Sequence, residues 1–294
     1  MNSAMNTLRD AVQSGQARLA AGPHPERARQ DASALLRAVI GKDQAALMAH
    51  WDEPLTARFA RRFAAFVERR FKGEPMQYIL RQVEFYGLSL HVTPLVLIPR
   101  PETEHLVEAA IDVAHHWPQP HIADVGTGSG AIAIALAIAL PTSRITAIDC
   151  SLAALAVARE NAKRHGLGDR VRFVDGDLLI PVSSERFEIV VSNPPYIPIG
   201  DRENLAVEVR EYEPAMALFA GEDGLDIYRN LIPAAWSVLV AEGRVMLEIG
   251  FGQAAAVRQL LEETGFKQVD FISDLQGIPR VALGVKESHI FNKK

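Results

Sequence analysis

Hydrophobic patterning divides the chain into two regimes. Up to Pro75 apolar residues recur at helical spacing, as in Phe59, Phe63 and Phe66, with Arg58, Arg61, Arg62, Arg69, Arg70 and Lys72 interleaved. This predicts a small helical domain with a phenylalanine core and a solvated basic face that could also touch an anionic partner. Val83 to Val92 then places β-formers around Gly87, a hairpin that would serve as the joint. After Pro118 short β-branched runs alternate with helical segments, the pattern of strand-helix-strand units on a mostly parallel sheet. Seven strands are expected: Ile122 to Val125, Ile145 to Asp149, Val171 to Asp175, Ile189 to Ser192, Arg244 to Glu248, Val269 to Ser273 and Val281 to Val285. Between the second and third, Ser151 is the N-cap of a helix with Leu152, Leu155, Ala158 and Ala162 on one apolar face and Gly166 at its stop. The expected domains are residues 1–80, helical, and 81–294, hairpin plus sheet, with Asn292-Lys293-Lys294 as a loose end.

Charge follows the same division. Up to Pro75 there are twelve Lys/Arg against eight Asp/Glu, and after it nineteen against twenty-eight, within a net charge of -5. The single cysteine, Cys150, leaves no internal disulfide and no Cys-x-x-Cys pair, which fits a reducing compartment and points to the cytoplasm. Met1 to Gly15 lack a basic start followed by an apolar run. The longest apolar run, Ala131 to Leu140, is half of the ~20 residues that a membrane span needs, so neither export nor a membrane is expected.

Chemistry concentrates at the carboxyl ends of the expected strands, where right-handed crossovers put ligands. Asp124-Val125-Gly126-Thr127-Gly128-Ser129-Gly130 links the first strand to a buried helix. Its glycines allow a sharp turn and close approach, and the helix amino end offers unpaired N–H groups, which implies a nucleotide-like cofactor. Gly126, Gly128 and Ala131 also satisfy the fingerprint of NAD binders, so the loop by itself does not choose a cofactor. In either case Asp149, ending the second strand, would accept from two ribose hydroxyls.

The discriminating stretch is Ser192-Asn193-Pro194-Pro195-Tyr196, at the end of the fourth strand. Two prolines cannot continue a sheet ladder and instead fix the chain, so that the Asn193 side chain and the Pro194 carbonyl become preplaced acceptors. The stretch resembles the (N/D)PP(Y/F) motif of S-adenosylmethionine-dependent methyltransferases acting on planar nitrogens. A glutamine amide nitrogen is a poor nucleophile because its lone pair is delocalised. Two acceptors, each taking one N–H, would orient it and stabilise the charge that develops on it, with Tyr196 as an aromatic wall. The nine histidines show no metal-ligand spacing, and His115-His116 reads as a helix end.

With these residues the chain resembles the HemK/PrmC family, the protein-(glutamine-N5) methyltransferases that modify the GGQ glutamine of peptide chain release factors. The resemblance covers nearly the whole chain. It includes Gly73 to Ile79, Leu97-Ile98-Pro99-Arg100-Pro101-Glu102-Thr103-Glu104, Glu213-Pro214, Gly221 to Asp226, Glu248-Ile249-Gly250 and Gly277 to Arg280. It implies a Rossmann-like class I α/β domain of seven strands with the last antiparallel, a joining hairpin, and a small N-terminal helical domain that helps grip the release factor.

Carried over to this chain, the resemblance puts Gly126, Thr127, Gly128, Ser129 and Gly130 under the methionine part of S-adenosyl-L-methionine, and Asp149 on its ribose. Asp177 and Leu178 would flank the adenine, and Asn193 would lie between cofactor and substrate. Asn193, Pro194, Pro195 and Tyr196 would hold the substrate, with Asn193, Pro194 and Tyr196 catalytic and no metal. The Arg100 to Glu104 stretch would lie near the methionine end or serve as the start of a helix. The expected enzyme is a cytoplasmic monomer acting on release factors, with no membrane and no nucleic acid required. Rivals are a ribosomal-protein glutamine methyltransferase, an adenine N6 DNA methyltransferase, which the acidic catalytic part disfavours, a non-catalytic cofactor-binding protein and an NAD oxidoreductase.

Overall fold

The structure, a computed structural model, describes residues 7–287, so the expected loose end at Asn292-Lys293-Lys294 and the first six residues of the Met1 to Gly15 reading lie outside it. The chain forms two compact units. One runs up to Gln82 and also takes in Leu205–Tyr212; the other comprises Val83–Asn204 and the residues from Glu213 onward.

The first unit is helical: α1 (Leu8–Leu19), α2 (Ala28–Ile40), α3 (Gln44–Ala49), α4 (Ala57–Phe71) and α5 (Met76–Leu80). Three of its helices start at a capping side chain, α1 through a Thr7/Asp10 capping box, α3 through Asp43 and α4 through Thr56. Phe63 is fully buried in its core, and Phe59 and Phe66 pack against that core at partial burial. The expected basic face needs one correction. Arg70 lies on the same stripe of α4 as Phe63 and Val67, so it is buried, paired with Asp31 at 2.6 Å and Glu208 at 2.8 Å. Arg58, Arg61 and Arg62 remain exposed.

The second unit opens with the hairpin of β1 (Val83–Phe85) and β2 (Leu88–Leu90). Its two turn residues, Tyr86 and Gly87, both have positive φ (50° and 70°), the conformation that matches a two-residue turn to strand twist. Then come α6 (Glu104–Ala114), β3 (His121–Val125), α7 (Ala131–Ala139), β4 (Arg144–Asp149), α8 (Leu152–Arg164), β5 (Val171–Asp175) and β6 (Phe187–Ser192). After β6 the chain passes through α9 (Val207–Tyr212), part of the first unit, and returns for α10 (Asp226–Val238), β7 (Leu239–Glu248), α11 (Ala254–Thr264), β8 (Lys267–Ser273) and β9 (Pro279–Val285).

The seven strands β3 to β9 form one sheet in the order β5-β4-β3-β6-β7-β9-β8. Strands β3 to β7 pair in parallel and β9 is antiparallel to both neighbours. Strand residues alternate between two apolar layers. Ile122, Ile145, Ile189 and Val191 face α6 and α7, and Ala123, Ile148, Val190 and Val245 face α10 and α11. Ser151 caps α8 by accepting from Ala154 N, and Gly166 follows its end at φ 72°. Leu155, Ala158 and Ala162 are buried as expected, but Leu152 is 64% exposed. It is the first residue of α8, at the helix's end. The chain order reverses between β3 and β6, which opens a crevice at their carboxyl ends. Among the described residues no helix is long and apolar enough to cross a membrane.

Candidate active site

Beyond Val125 the chain turns into α7 through Gly126, Gly128 and Gly130, with φ of 73°, 56° and 82°. These left-handed values strain any residue with a Cβ. The loop is strapped to the end of β4: Gly126 N and Thr127 N donate to Ile148 O at 2.9 and 3.0 Å, and Gly128 N donates to Asp149 Oδ2 at 2.9 Å. A Cβ on Gly126 or Gly128 would meet no protein atom within 4 Å, and both residues line the cleft, so the space left by the missing side chains belongs to the cleft.

The rest of the loop faces the protein. The Thr127 hydroxyl donates to Asp124 Oδ2 at 2.6 Å, and Ala133 N donates to the same oxygen at 3.1 Å. Asp124 is fully buried with Oδ1 unpartnered, and burial pushes its carboxyl up to about 7. Ser129 O accepts from Asn161 Nδ2, which also donates to His91 O, both at 2.9 Å. Gly130 is closed in by Ile134 and Ala158. Thr127, Ser129 and Gly130 therefore shape the loop from behind and do not line the cleft.

The cleft has a cavity volume of about 160 Å³. Its lining takes in Gly126, Gly128, Asp149, Asp177, Leu178, Asn193, Pro194 and Pro195, contributed by the ends of β3, β4, β5 and β6. Asp149 Oδ1 accepts from Ser151 N at 2.9 Å. Each of its oxygens thus takes one backbone donor and keeps a further lone pair, while burial raises its carboxyl above the usual range. Leu178 enters the lining at φ 49°, a conformation uncommon for a bulky residue. Sequence reading missed Cys150, Val96, Met216, Ala217 and Ile227 as lining residues. They supply apolar or neutral wall with no spacing signature; Leu97, Val125, Ser192 and Pro214 fell inside stretches that had drawn notice.

The opposite wall is held by side chains. Ser192 Oγ donates to Val125 O at 2.7 Å, tying the end of β6 to that of β3. Asn193 Nδ2 donates to Thr103 Oγ1 at 3.0 Å, which leaves Oδ1 as a further acceptor. Tyr196 stands outside the lining. Its hydroxyl donates to Glu248 Oε1 at 3.4 Å, and its carbonyl accepts from Gln253 Nε2 at 3.0 Å. A Cβ on Gly224 would collide with that carbonyl, so the Gly221 to Asp226 stretch is glycine there for close approach. Arg100 pairs with the buried Glu213 at 2.6 Å, and Ile98 N donates to the same carboxylate, so this arginine braces the Glu213-Pro214 wall. Glu248 is buried, and desolvation pushes its carboxyl up to about 7.

A sheet of this order, whose only reversed strand is the last in the chain and whose ligand-facing loops share one carboxyl edge, is the fold of class I SAM-dependent methyltransferases. The hMettl16 catalytic domain, solved in complex with MAT2A 3'UTR hairpin 6, has this fold: it superposes with a TM-score of 0.57 at 16% identity over 84% of this chain and 94% of that one.

Residues 10–80 match the PrmC N-terminal domain family and residues 103–210 the Methyltransferase small domain family. The chain is 45% identical to the release factor glutamine methyltransferase of Geobacter sulfurreducens over 88% of its length and 90% of that protein. It is 41% identical to that of Koribacter versatilis over 95% of its length and 99% of that protein. The chain belongs to the release factor glutamine methyltransferase family.

Proposed function

We propose that the protein transfers a methyl group from S-adenosyl-L-methionine to the side-chain amide nitrogen of the GGQ glutamine of peptide chain release factors. The residues present suit the cofactor. Open space in front of Gly126 and Gly128 admits a ligand against the loop backbone, Asp149 keeps lone pairs for two ribose hydroxyls, and Leu178 offers an apolar face for the adenine with the exposed Asp177 beside it. When bound, S-adenosyl-L-methionine supplies the methyl group, its sulfur keeping the electron pair of the broken carbon–sulfur bond.

The chain's own part is orientation and electrostatics. Asn193 Oδ1 and the Pro194 carbonyl each accept one N–H of the target amide, turn the nitrogen toward the methyl, and stabilise the positive charge that grows on it. The amide proton leaves afterwards, so no strong base is needed. Tyr196, anchored at both its hydroxyl and its carbonyl, keeps the Pro-Pro segment rigid from behind. The observation that carries this reading is the Asn193–Thr103 hydrogen bond, which leaves an oxygen free on a residue lining the cleft. In this reading the helical unit contributes to gripping the release factor, and the enzyme works in the cytoplasm as a monomer with no nucleic acid required.

The test is transfer of isotope-labelled methyl from S-adenosyl-L-methionine to a purified release factor, beside the same factor with its GGQ glutamine changed to alanine. Label on the first and none on the second is expected. Label on neither, with cofactor binding intact, would overturn the substrate and turn attention to ribosomal proteins.

A further inference from the structure

The chain passes between the two units three times, at Gln82–Val83, Asn204–Leu205 and Tyr212–Glu213. The last two passages flank α9, a helix of six residues with none of them buried. So short a helix is marginal by itself, and without a buried apolar face its place in the helical unit depends on polar contacts. Glu208 Oε2 accepts from Arg70 Nη1 at 2.8 Å and lies 3.4 Å from His24 Nε2. The Tyr212 hydroxyl donates to Lys72 O at 2.9 Å. Arg70 is 2% exposed; its Nε donates to Asp31 Oδ2 at 2.6 Å, and its Nη1 also reaches Glu74 O at 3.1 Å. Desolvation offsets much of the attraction within a buried ion pair, so its best-attested use is to specify one arrangement over others. On leaving α9 the chain enters the cleft lining at Pro214.

We propose that Arg70 and Glu208 are positioning residues: their ion pair latches α9 into the helical unit, which is thereby joined to the second unit by three stretches of chain in place of one, and so delivers the release factor it grips in one orientation. This rests on the reading above, in which the helical unit grips the release factor and the cleft methylates it. With α9 released, the passage at Gln82–Val83 alone restrains the helical unit. The effective concentration of a gripped release factor at the cleft then falls, while the cofactor site, built from the ends of β3, β4, β5 and β6, keeps its own contacts. Loss of the Glu208 carboxylate does not strand the arginine, because Arg70 keeps Asp31 as its partner.

The experiment is steady-state methylation of a release factor by Glu208→Arg, Glu208→Ala and Tyr212→Phe, with cofactor affinity measured by calorimetry. Glu208→Arg sets a second cation against Arg70 and expels α9. It should raise KM for the release factor by roughly tenfold or more, with kcat and cofactor affinity within about threefold of the wild type. Glu208→Ala should raise KM about fivefold, and Tyr212→Phe, which loses only the bond to Lys72 O, about twofold. Unchanged KM in Glu208→Arg would overturn the latch. So would a fall in kcat and cofactor affinity as large as the rise in KM, the mark of a general loss of structure. If Glu208→Arg fails to fold, Glu208→Ala decides in its place, and an unchanged KM there overturns the latch. A wild type that fails to label the release factor would instead overturn the proposed function, and that is read before any variant.

Discussion

On the wall of the cleft proposed for the cofactor, the surface is backbone shaped by glycine conformation, with one carboxylate at the end of β4. On the wall proposed for the substrate, the lining is braced by buried and partly buried side chains from the turn before α6, the end of β6, the end of β7 and the residue before α11. Gly126 and Gly128 hold their shape through φ values that only glycine adopts without strain. Asn193 holds its orientation through a partner 90 residues away, and Tyr196 through one 52 residues away. Each wall also contains a buried carboxyl raised to about 7, but the two are wired differently. Asp124 supports the loop from beneath and does not reach the cleft, whereas Glu248 accepts from Tyr196, which follows the Pro-Pro segment of the lining. A local conformational device shapes one wall, while contacts between side chains distant in sequence fix the other.

If this contrast holds, the largest effect belongs to the substrate wall. Asn193→Ala should cut kcat by roughly 10²-fold or more while cofactor affinity stays within a few-fold, since a preplaced hydrogen-bonding group typically contributes that much in the transition state. Normal turnover in that variant would remove the acceptor role. Asp149→Ala should do the reverse: calorimetry should show cofactor binding about 10- to 100-fold weaker, the worth of hydrogen bonds to a charged acceptor, with kcat at saturating cofactor much less affected. Unchanged affinity would contradict the ribose assignment.

Smaller changes sharpen the comparison further. Leu178→Phe should tighten cofactor binding by only a few-fold, because an aromatic ring adds stacking worth about 1 kcal/mol over an apolar contact already present. Looser binding would place the adenine elsewhere. The smallest effect concerns Asp124. Its native pKa lies above the ordinary carboxylate value, so the folded state binds the proton more tightly than the unfolded one, and this group's contribution to stability declines as pH rises from about 4 to about 7. Asp124→Asn lacks that decline. Its Tm relative to wild type should therefore climb by a few degrees between about pH 5 and 7, and a flat difference would mean the carboxyl is ionised throughout.

Much of the fold was legible because its signals are local. The alternation of β-branched runs with helical segments located all seven strands to within a few residues at most ends, and Ser151 and Gly166 bounded α8. The exception is the start of β7, where the strand begins at Leu239 rather than Arg244: Gly243 and the charged residues around it mask the extended backbone that pairing with β6 imposes. Leu152 and Arg70 misled for one shared reason. Helical periodicity assigns a side chain to a face but does not say whether another element covers that face, or whether an acid stands opposite a basic residue on it.

The sequence by itself determined the class of chain, the order of its elements and the two motifs at the sheet's carboxyl edge, because glycine φ preferences, proline rigidity and apolar periodicity act between neighbours. Only the tertiary structure decided which of those residues reach the cleft and which brace it from behind. It turned Thr127 and Ser129 inward, set Tyr196 behind the lining, drew Leu205–Tyr212 into the helical unit, and gave Thr103 a partner in Asn193 in place of its helix cap. A buried hydroxyl or amide must find a partner somewhere, and which partner lies within reach depends on how distant strands and helices pack.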